Sequence, residues 1–269
     1  MHPSDLWKRP AGRPLIMGIL NLTPDSFSDG GAYFSKERAL EHAYYLIESG
    51  ADIIDVGGES SRPGSDGISE EEEIERVIGV IKELAGTVST PISIDTAKPG
   101  VAESSVKAGA SIINDIRGLT DDRMTDIAIS YDVPAVIVHM HGTPKTFGTD
   151  TMEGDALAEI KRFLGERAEH AAGRGMKERN IIVDPGIGFG KTAEQDMSII
   201  ENSGWFGGGY PVLIGPSRKR FLSKYYSGMD LDEATAAASA TAAESDARIL
   251  RVHNVSETVR AVRRNRSYL

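Results

Sequence analysis

Eight short apolar segments recur along the chain, and their spacing constrains the fold more than any other feature of the sequence. Each segment is a continuous apolar run rather than an alternation of apolar and polar residues, a pattern typical of strands covered on both faces in a parallel sheet. In chain order the segments occupy residues 15–20, 53–56, 92–95, 112–115, 135–139, 181–184, 212–215 and 249–253.

Amphipathic or charged stretches of helical length separate these segments. The clearest are residues 36–49, 70–85, 156–172, 233–247 and 257–264. Eight strands alternating with helices predict an α/β protein with a (β/α)8 TIM barrel, although an open doubly wound sheet uses the same alternation. No G-x-G-x-x-G motif follows the first strand, which favours the barrel. The chain contains no Pro-rich or Gly/Ser-rich linker, so we expect residues 1–269 to form a single domain.

Charge and cysteine content exclude several classes of function. The chain has a formal net charge of −10 and no cysteine. The acidic balance argues against nucleic-acid and anionic-membrane surfaces, because both need clustered basic residues. Without cysteine there are no disulfides, thiolate nucleophiles or Cys-ligated metal clusters. We see no apolar run long enough for a membrane span and no secretory signal, and therefore expect a cytoplasmic protein.

Polar residues stand at the carboxyl end of every predicted strand. In a barrel these ends meet on one face, where a single pocket can gather them. We therefore expect a polar small-molecule site there, although each residue taken singly is also an ordinary end-of-strand cap. The residues are Asn21, Glu59, Ser60, Ser61, Arg62, Asp95, Asn114, Asp115, His139, His141, Asp184, Ser217, Arg218, Lys219, Arg251 and His253.

Four of these side chains suit a flat heterocycle with several donors and acceptors. They combine carboxylate acceptors, an amide and an ammonium donor, and they are Asp95, Asn114, Asp184 and Lys219. The alternative interpretation is a buried Asp–Lys ion pair that only stabilises the core.

Two more groups of strand-end residues allow different chemistry. Arg62, Arg251 and His253 are candidates for binding an anion, since guanidinium groups bind phosphate bidentately. Arg251 is alternatively one of the charged residues that fill barrel interiors. His139 and His141 have the spacing of two ligands on one side of a strand, so a zinc site completed by His253 is also conceivable.

As whole phrases, the strand ends resemble the dihydropteroate synthase family, and the similarity spans nearly the entire chain. The phrases are IMGILNLTPDSFSDGG (16–31), GADIIDVGGESSRPGS (50–65), SIDTAKP (93–99), GASIINDIRGL (109–119), HMHGTP (139–144), DPGIGFGK (184–191), GPSRKRFL (215–222) and RVHNV (251–255). The first two are the most specific, because other pterin-binding barrels lack the long NLTPDSFSDGG loop.

The resemblance implies a transferase of folate biosynthesis. Its reaction would join 6-hydroxymethyl-7,8-dihydropterin diphosphate to p-aminobenzoate, giving 7,8-dihydropteroate and pyrophosphate, with Mg²⁺ as cofactor. Departure of pyrophosphate leaves an electron-poor methylene group, so the enzyme must stabilise the leaving anion and that cation. We expect small-molecule partners and a homodimer; the alanine-rich residues 234–243 would form its interface or, alternatively, pack on the barrel.

The resemblance also implies a role for each strand-end residue. The pterin ring would be held by Asp95, Asn114, Asp184 and Lys219. The diphosphate would be held by Asn21, Arg251 and His253, with Asn21 acting through Mg²⁺. The arylamine would contact Phe27, Ser61, Arg62, Pro63, Phe189 and Ser217. Ser217 would meet the amine's carboxylate at the N-terminus of a helix beginning near Arg218. The implied catalytic residues are Asp29, Arg62 and Lys219, with Asp29 also near the metal.

Several positions depart from the family pattern and leave the substrate open. Those that differ are Ser61, Phe147, Pro216, Asp246 and Asn254. Changes near the seventh strand leave the arylamine undecided, and a ribosylated arylamine phosphate for a methanopterin-type cofactor is a second candidate substrate. The same barrel would also suit a corrinoid methyltransferase domain or a catalytically silent pterin-binding module.

Overall fold

The structure is a computed structural model that describes most of the chain. The described residues are 2–5, 13–23, 36–60, 67–143, 145–147 and 149–265, with side chains as far as residue 263. Within them, no helix is long and apolar enough to cross a membrane.

Eight parallel strands form a nearly closed barrel, as the sequence predicts. The strands are β1 (Leu15–Asn21), β2 (Ile53–Gly57), β3 (Ile92–Asp95), β4 (Ile112–Asp115), β5 (Ala135–Val138), β6 (Ile181–Asp184), β7 (Leu213–Ile214) and β8 (Ile249–Val252). They are ordered β6-β5-β4-β3-β2-β1-β8-β7, and an isolated parallel bridge between Val183 and Val212 joins the two ends. The (β/α)8 prediction is therefore confirmed.

Helices connect the strands and cover the outside of the barrel. They are α1 (Lys36–Glu48), α2 (Glu70–Thr87), α3 (Pro99–Ala108), α4 (Asp122–Ser130), α5 (Ala156–Gly173), α6 (Ala193–Glu201), α7 (Leu222–Tyr225), α8 (Leu231–Glu244) and α9 (Val255–Asn265). The helix predicted at 233–247 begins two residues earlier, because Asp230 caps it by accepting a hydrogen bond from the Asp232 backbone. Most side chains of α8 are buried within this single chain, so its alanines pack on the barrel.

The interior of the barrel contains a cluster of apolar side chains contributed by seven of the eight strands. It consists of Leu15, Met17, Ile53, Ile112, Val136, Val138, Ile182, Leu213 and Ile249, with Phe189 packed against them. In a strand, residues two apart point to the same face. The residues two positions beyond Ile53, Ile112, Ile182 and Ile249 are Asp55, Asn114, Asp184 and Arg251. Strand geometry therefore directs these four polar side chains into the carboxyl half of the barrel.

Asp115 shows that the last residue of a strand need not enter the site. It follows Asn114 directly, so its side chain leaves the opposite face of β4. There the carboxylate accepts hydrogen bonds from the backbone nitrogens of Arg117 and Leu119, at 2.8 and 2.9 Å. Burial raises the pKa of Asp115 to about 6, against the effect of these two bonds. Its role is to hold the turn that follows β4.

Candidate active site

A small cavity at the carboxyl end of the barrel brings together the four side chains predicted to bind a heterocycle. It is lined by Asp95, Asn114, Asp184 and Lys219, together with Arg251 and the apolar Ile116, Val138, Ile187 and Phe189. Polar groups thus surround a narrow space with apolar walls, an arrangement typical of sites for flat heterocycles.

Asp184 is a deeply buried acceptor of this cavity. Its side chain is 6% exposed, and Oδ1 accepts a hydrogen bond from the Gly186 backbone at 2.7 Å. Burial raises the pKa of Asp184 to about 6, while that bond and nearby cations, Lys191 first, act against the rise. A carboxylate held in this way accepts further hydrogen bonds from a ligand.

Lys219 lies across the cavity and depends on glycine for its position. Burial, and secondly the charge of Arg251, lower the pKa of Lys219 to about 8. Its Nζ lies 4.2 Å from the centroid of the Phe189 ring, within the range of a cation–π contact. Gly188 has a φ of +80°, and a Cβ there would lie 3.1 Å from Lys219 Cδ. A larger residue at 188 would therefore both strain the backbone and displace the ammonium.

Arg251 is held by two carboxylates inside the barrel. Its Nε donates to Asp55 Oδ2 and its Nη2 to Asp95 Oδ2, each at 2.5 Å. Asp55 is fully buried, whereas the side chains of Asp95 and Arg251 are 15% and 20% exposed. These neighbours raise the pKa of the guanidinium despite its burial. Burial also raises the pKa of Asp95, with Arg251 opposing this effect. Arg251 thus fills the barrel interior and still lines the cavity.

Asp55 belongs to the site although the sequence analysis did not select it. Its Oδ2 accepts from Asn114 Nδ2 at 3.2 Å as well as from Arg251. The alternation of side chains along the strand could have identified it. Asp55 is two residues after Ile53 in the apolar run IIDV, so both side chains point into the barrel. The sequence analysis considered only residues at the carboxyl ends of the strands and therefore did not include Asp55.

A larger cavity adjoins the small one and shares Asp95, Phe189, Lys219 and Arg251 with it. Beyond these shared residues, it contains six further residues predicted at strand ends and several that were not selected. The first group is Asn21, Glu59, Ser60, Ser217, Arg218 and His253; the second includes Thr23, Phe147, Lys191 and Asp196. The arrangement places a small space of about 40 Å³ beside a much wider one of about 790 Å³.

Lys191 and Asp196 hold the loop between β6 and α6. Lys191 is 4% exposed and donates to the Phe189 carbonyl at 3.0 Å, while Asp196 Oδ1 accepts from the Gly188 backbone at 2.8 Å. Burial lowers the pKa of Lys191 and raises that of Asp196. Sequence reasoning gave neither residue a role, although Lys191 closes the phrase DPGIGFGK that carries Asp184.

Ser217 does not stand at a helix N-terminus, so that part of the prediction is wrong. Residues 217 and 218 lie in a turn, Arg218 has a φ of +57°, and α7 begins only at Leu222 and has four residues. A positive φ is incompatible with helical continuation. Ser217 instead joins the ends of β7 and β8, because its Oγ lies 2.8 Å from His253 Nδ1 and accepts from the His253 backbone.

The three histidines considered as zinc ligands contact different groups. His139 Nδ1 lies 3.0 Å from Lys191 Nζ, and His141 Nε2 lies 3.1 Å from Asp150. Burial lowers the pKa of His139 to about 3, so its ring is neutral at physiological pH. His253 pairs with Ser217. Across the described part of the chain, no group of three or more His, Asp or Glu side chains is placed to hold a metal.

Five predicted site residues come from the two segments that follow β1 and β2 in the sequence. They lie outside the residues that the structure describes, so their predicted roles stay predictions. They are Phe27, Asp29, Ser61, Arg62 and Pro63.

Comparison with known proteins gives consistent similarity over the whole barrel. A family described as "Pterin binding enzyme" matches residues 17–253. The dihydropteroate synthase of Bacillus subtilis is 44% identical over 255 residues, which cover 92% of this chain and 86% of that protein. The structure of Xanthomonas albilineans dihydropteroate synthase with 4-aminobenzoic acid has a TM-score of 0.87 and 40% identity, covering 94% and 92% of the two chains. Its complex with 7,8-dihydropteroate has a TM-score of 0.84 and 38% identity, covering 94% and 93%.

Proposed function

The chain belongs to the dihydropteroate synthase family of pterin-binding enzymes, and we propose that it joins 6-hydroxymethyl-7,8-dihydropterin diphosphate to p-aminobenzoate. The products are 7,8-dihydropteroate and pyrophosphate. The observation that carries this proposal is the small cavity lined by Asp95, Asn114, Asp184 and Lys219. The Xanthomonas albilineans relative has been solved with 4-aminobenzoic acid and with 7,8-dihydropteroate, which supports the same pair of molecules here.

The pterin ring occupies the small cavity in this proposal. Asp184 accepts from the guanidine-like edge of the ring, where two neighbouring N–H groups match a carboxylate. Lys219 donates to acceptors on another edge, and with a pKa of about 8 it is still mainly protonated at neutral pH. The carboxylates of Asp95 and Asp184 also favour positive charge on the methylene group as its bond to the diphosphate breaks.

The diphosphate lies in the larger cavity, which contains Asn21, Arg251 and His253. The C–O bond to the diphosphate breaks with its electron pair leaving on pyrophosphate, and the donors of Arg251 and His253 stabilise that charge. The arylamine nitrogen then forms the new C–N bond and gives up one proton. No covalent intermediate with the enzyme is needed.

The residues around Asn21 fit a Mg²⁺ ion that binds mainly through the substrate. Mg²⁺ prefers oxygen ligands and commonly uses one or two protein groups plus substrate phosphates and water. Asn21 is the last residue of β1 and lines the larger cavity, where its amide carbonyl offers an oxygen ligand beside the proposed diphosphate position. We propose Asn21 as a ligand, with Asp29 contributing from its loop. When bound, Mg²⁺ would neutralise charge on the departing pyrophosphate.

The arylamine approaches through the wider cavity. Phe189 and Phe147 form an aromatic wall with their ring centroids 5.2 Å apart, and Ser217 lies on the same cavity. We propose that Phe27, Ser61, Arg62 and Pro63 contact the amine from the two long loops. In this scheme Asp29, Arg62 and Lys219 are the catalytic residues.

A coupled assay tests the proposal directly. The purified protein is given the pterin diphosphate, Mg²⁺ and p-aminobenzoate, and both pyrophosphate and dihydropteroate are measured. Turnover only with a phosphoribosylated arylamine would replace the folate assignment by the methanopterin-type reaction. Methyl transfer from a methylated reduced pterin to a corrinoid would identify a methyltransferase, and pterin binding without turnover would identify a silent module.

Arg62→Ala is expected to act mainly on the amine. We expect the KM for p-aminobenzoate to rise about tenfold, because one guanidinium contact to a carboxylate is lost, while the dissociation constant for the pterin stays unchanged. Steady-state kinetics and pterin calorimetry on the same preparation separate the two effects. Normal amine kinetics would remove Arg62 from the arylamine site.

Pterin binding should weaken in acid through Asp184. A proton competes with the ligand's N–H groups for the carboxylate, so below the pKa of about 6 the dissociation constant should rise toward tenfold per pH unit. Calorimetry between about pH 5 and 8 measures how the dissociation constant changes with pH. Asp184→Asn removes the titrating group, and an identical pH profile in that variant would assign the weakening in acid to another residue.

We further propose a homodimer and a cytoplasmic location. The alanines of α8 are buried within the chain, so the apolar residues exposed at the start of that helix and just before it are better candidates for an interface. They are Tyr225, Met229 and Leu231, exposed by 40%, 52% and 50%. Sedimentation of wild type and Met229→Asp tests the dimer, and cell fractionation tests the location.

A further inference from the structure

Three consecutive cations follow β7, and each has a different environment. Arg218 forms a two-point ion pair with Asp232, donating from Nε at 2.9 Å and from Nη2 at 3.1 Å. Lys219 lines both cavities and lies against Phe189. Arg220 is exposed and lines only the larger cavity. Among the residues that the structure describes, its guanidinium forms no ion pair or hydrogen bond. Arg220 is therefore the cation of this turn that is available to a ligand.

Two carboxylates on α6 and α8 have other cations as partners. Glu194 of α6 pairs with Lys224, and Asp232 of α8 pairs with Arg218. A guanidinium carries only donors, so it needs an acceptor to form a hydrogen bond. An anion in the larger cavity supplies such an acceptor, and Arg220 can meet a carboxylate through two parallel N–H groups.

The positive charge of Arg220 acts inside the larger cavity. Asp196 lines this cavity and is 4% exposed. Burial raises the pKa of Asp196, while a backbone hydrogen bond and nearby cations, Arg220 among them, oppose the rise. The guanidinium is thus close enough to the cavity to attract an anion. Such local charge matters in a chain with a net charge of −10, which otherwise repels anionic substrates.

The proposed reaction directs the anionic end of the amine toward the outer part of this cavity. The amine nitrogen must reach the methylene carbon of the pterin where the two cavities meet, at Phe189 and Lys219. In p-aminobenzoate the carboxylate is para to the nitrogen, so it points away from that junction into the larger cavity. Ser217 is less suited to bind it, because its hydroxyl lies 2.8 Å from His253 Nδ1 and is engaged there.

We propose that Arg220 is a specificity-determining residue that binds the carboxylate of the arylamine in the larger cavity and so selects anionic over neutral arylamines. This inference rests on the proposed function, because it takes an arylamine as the second substrate. It deepens that function by naming the substrate class, an aniline with an anionic group para to its nitrogen. Arg220 acts on binding of the amine and does not hold the pterin.

The test compares p-aminobenzoate with 4-aminobenzamide, a neutral amine of nearly the same shape. The KM for p-aminobenzoate is measured directly, and the affinity for 4-aminobenzamide is measured as its inhibition constant against p-aminobenzoate. Arg220→Met should raise the KM about fivefold, as expected for one charged contact in a partly solvated site. The inhibition constant of the amide and the dissociation constant of the pterin should stay unchanged. Arg220→Lys keeps the charge without the paired donors and should recover part of the loss.

Lys224→Met is the matched control for the loss of one positive charge. Lys224 lies in α7, is paired with Glu194 and, among the described residues, is not part of either cavity lining. We expect both constants to stay as in wild type. A normal KM in Arg220→Met, equal changes for both amines, or the same loss in Lys224→Met overturns the inference, while turnover still supports the proposed function. A wild type that does not turn over p-aminobenzoate overturns the proposed function and this inference with it.

Discussion

Asp184→Asn is expected to weaken binding of the pterin by about a hundredfold, equivalent to roughly 3 kcal/mol. The carboxylate accepts from the donor-rich edge of the ring, and an amide replaces one accepting oxygen by a donor that faces another donor. Because the side chain is 6% exposed, water cannot readily relieve the mismatch. Calorimetry with the unreactive 6-hydroxymethyl-7,8-dihydropterin measures the effect without turnover.

Asp115→Asn is the matched control for this variant. Asp115 is also a buried strand-end carboxyl with a pKa raised to about 6, but it serves the turn after β4 rather than the cavity. We expect a loss of about 1 kcal/mol in stability and an unchanged dissociation constant for the pterin. Equal pterin affinity in wild type and Asp184→Asn would remove Asp184 from the pocket.

Arg251→Met should lower the free energy of unfolding by about 3–5 kcal/mol at neutral pH, because it leaves Asp55 and Asp95 as uncompensated buried charges. Methionine preserves most of the apolar volume of the stem, so the loss reflects charge rather than packing. Chemical denaturation followed by circular dichroism measures the difference.

The difference in the free energy of unfolding between wild type and Arg251→Met should become smaller in acid. Burial raises the pKa of Asp95 and Arg251 opposes this effect, so without the guanidinium the pKa of Asp95 lies further above its value in the unfolded chain. The folded variant then binds more protons than the unfolded one, and its stability rises as the pH falls from about 7 to about 5. If the difference in unfolding free energy does not depend on pH, the destabilisation comes from packing rather than from charge.

Arg218→Met provides the comparison for an exposed pair. Arg218 also makes a two-point ion pair, with Asp232, but its side chain is 48% exposed. Solvent screening limits the contribution of such pairs, and we expect a change below about 1 kcal/mol. A loss as large as that of Arg251→Met would mean that burial is not what makes the Arg251 network important.

The sequence predicted the barrel because strand and helix patterns are local. Runs such as IIVD at 181–184 and LIMGIL at 15–20 are short, apolar and bounded by polar residues, and the structure places a strand at each. The predicted ends of helices were less accurate than the predicted strands, as for α8, because helix ends depend on capping contacts. The prediction for Ser217 failed for a similar reason, since the sequence phrase GPSRKRFL does not reveal the positive φ at Arg218.

The sequence by itself determined that polar groups gather at one end of a parallel barrel, because the carboxyl ends of parallel strands must meet there. It also determined the family, through motifs that span nearly the whole chain. Only the tertiary structure decided which polar residues face the cavity, since that depends on strand parity and on contacts between residues distant in sequence. Arg251 meets Asp55 across 196 positions of the chain, and this contact orders the amide of Asn114. Such pairings arise from closure of the barrel, so no local pattern contains them.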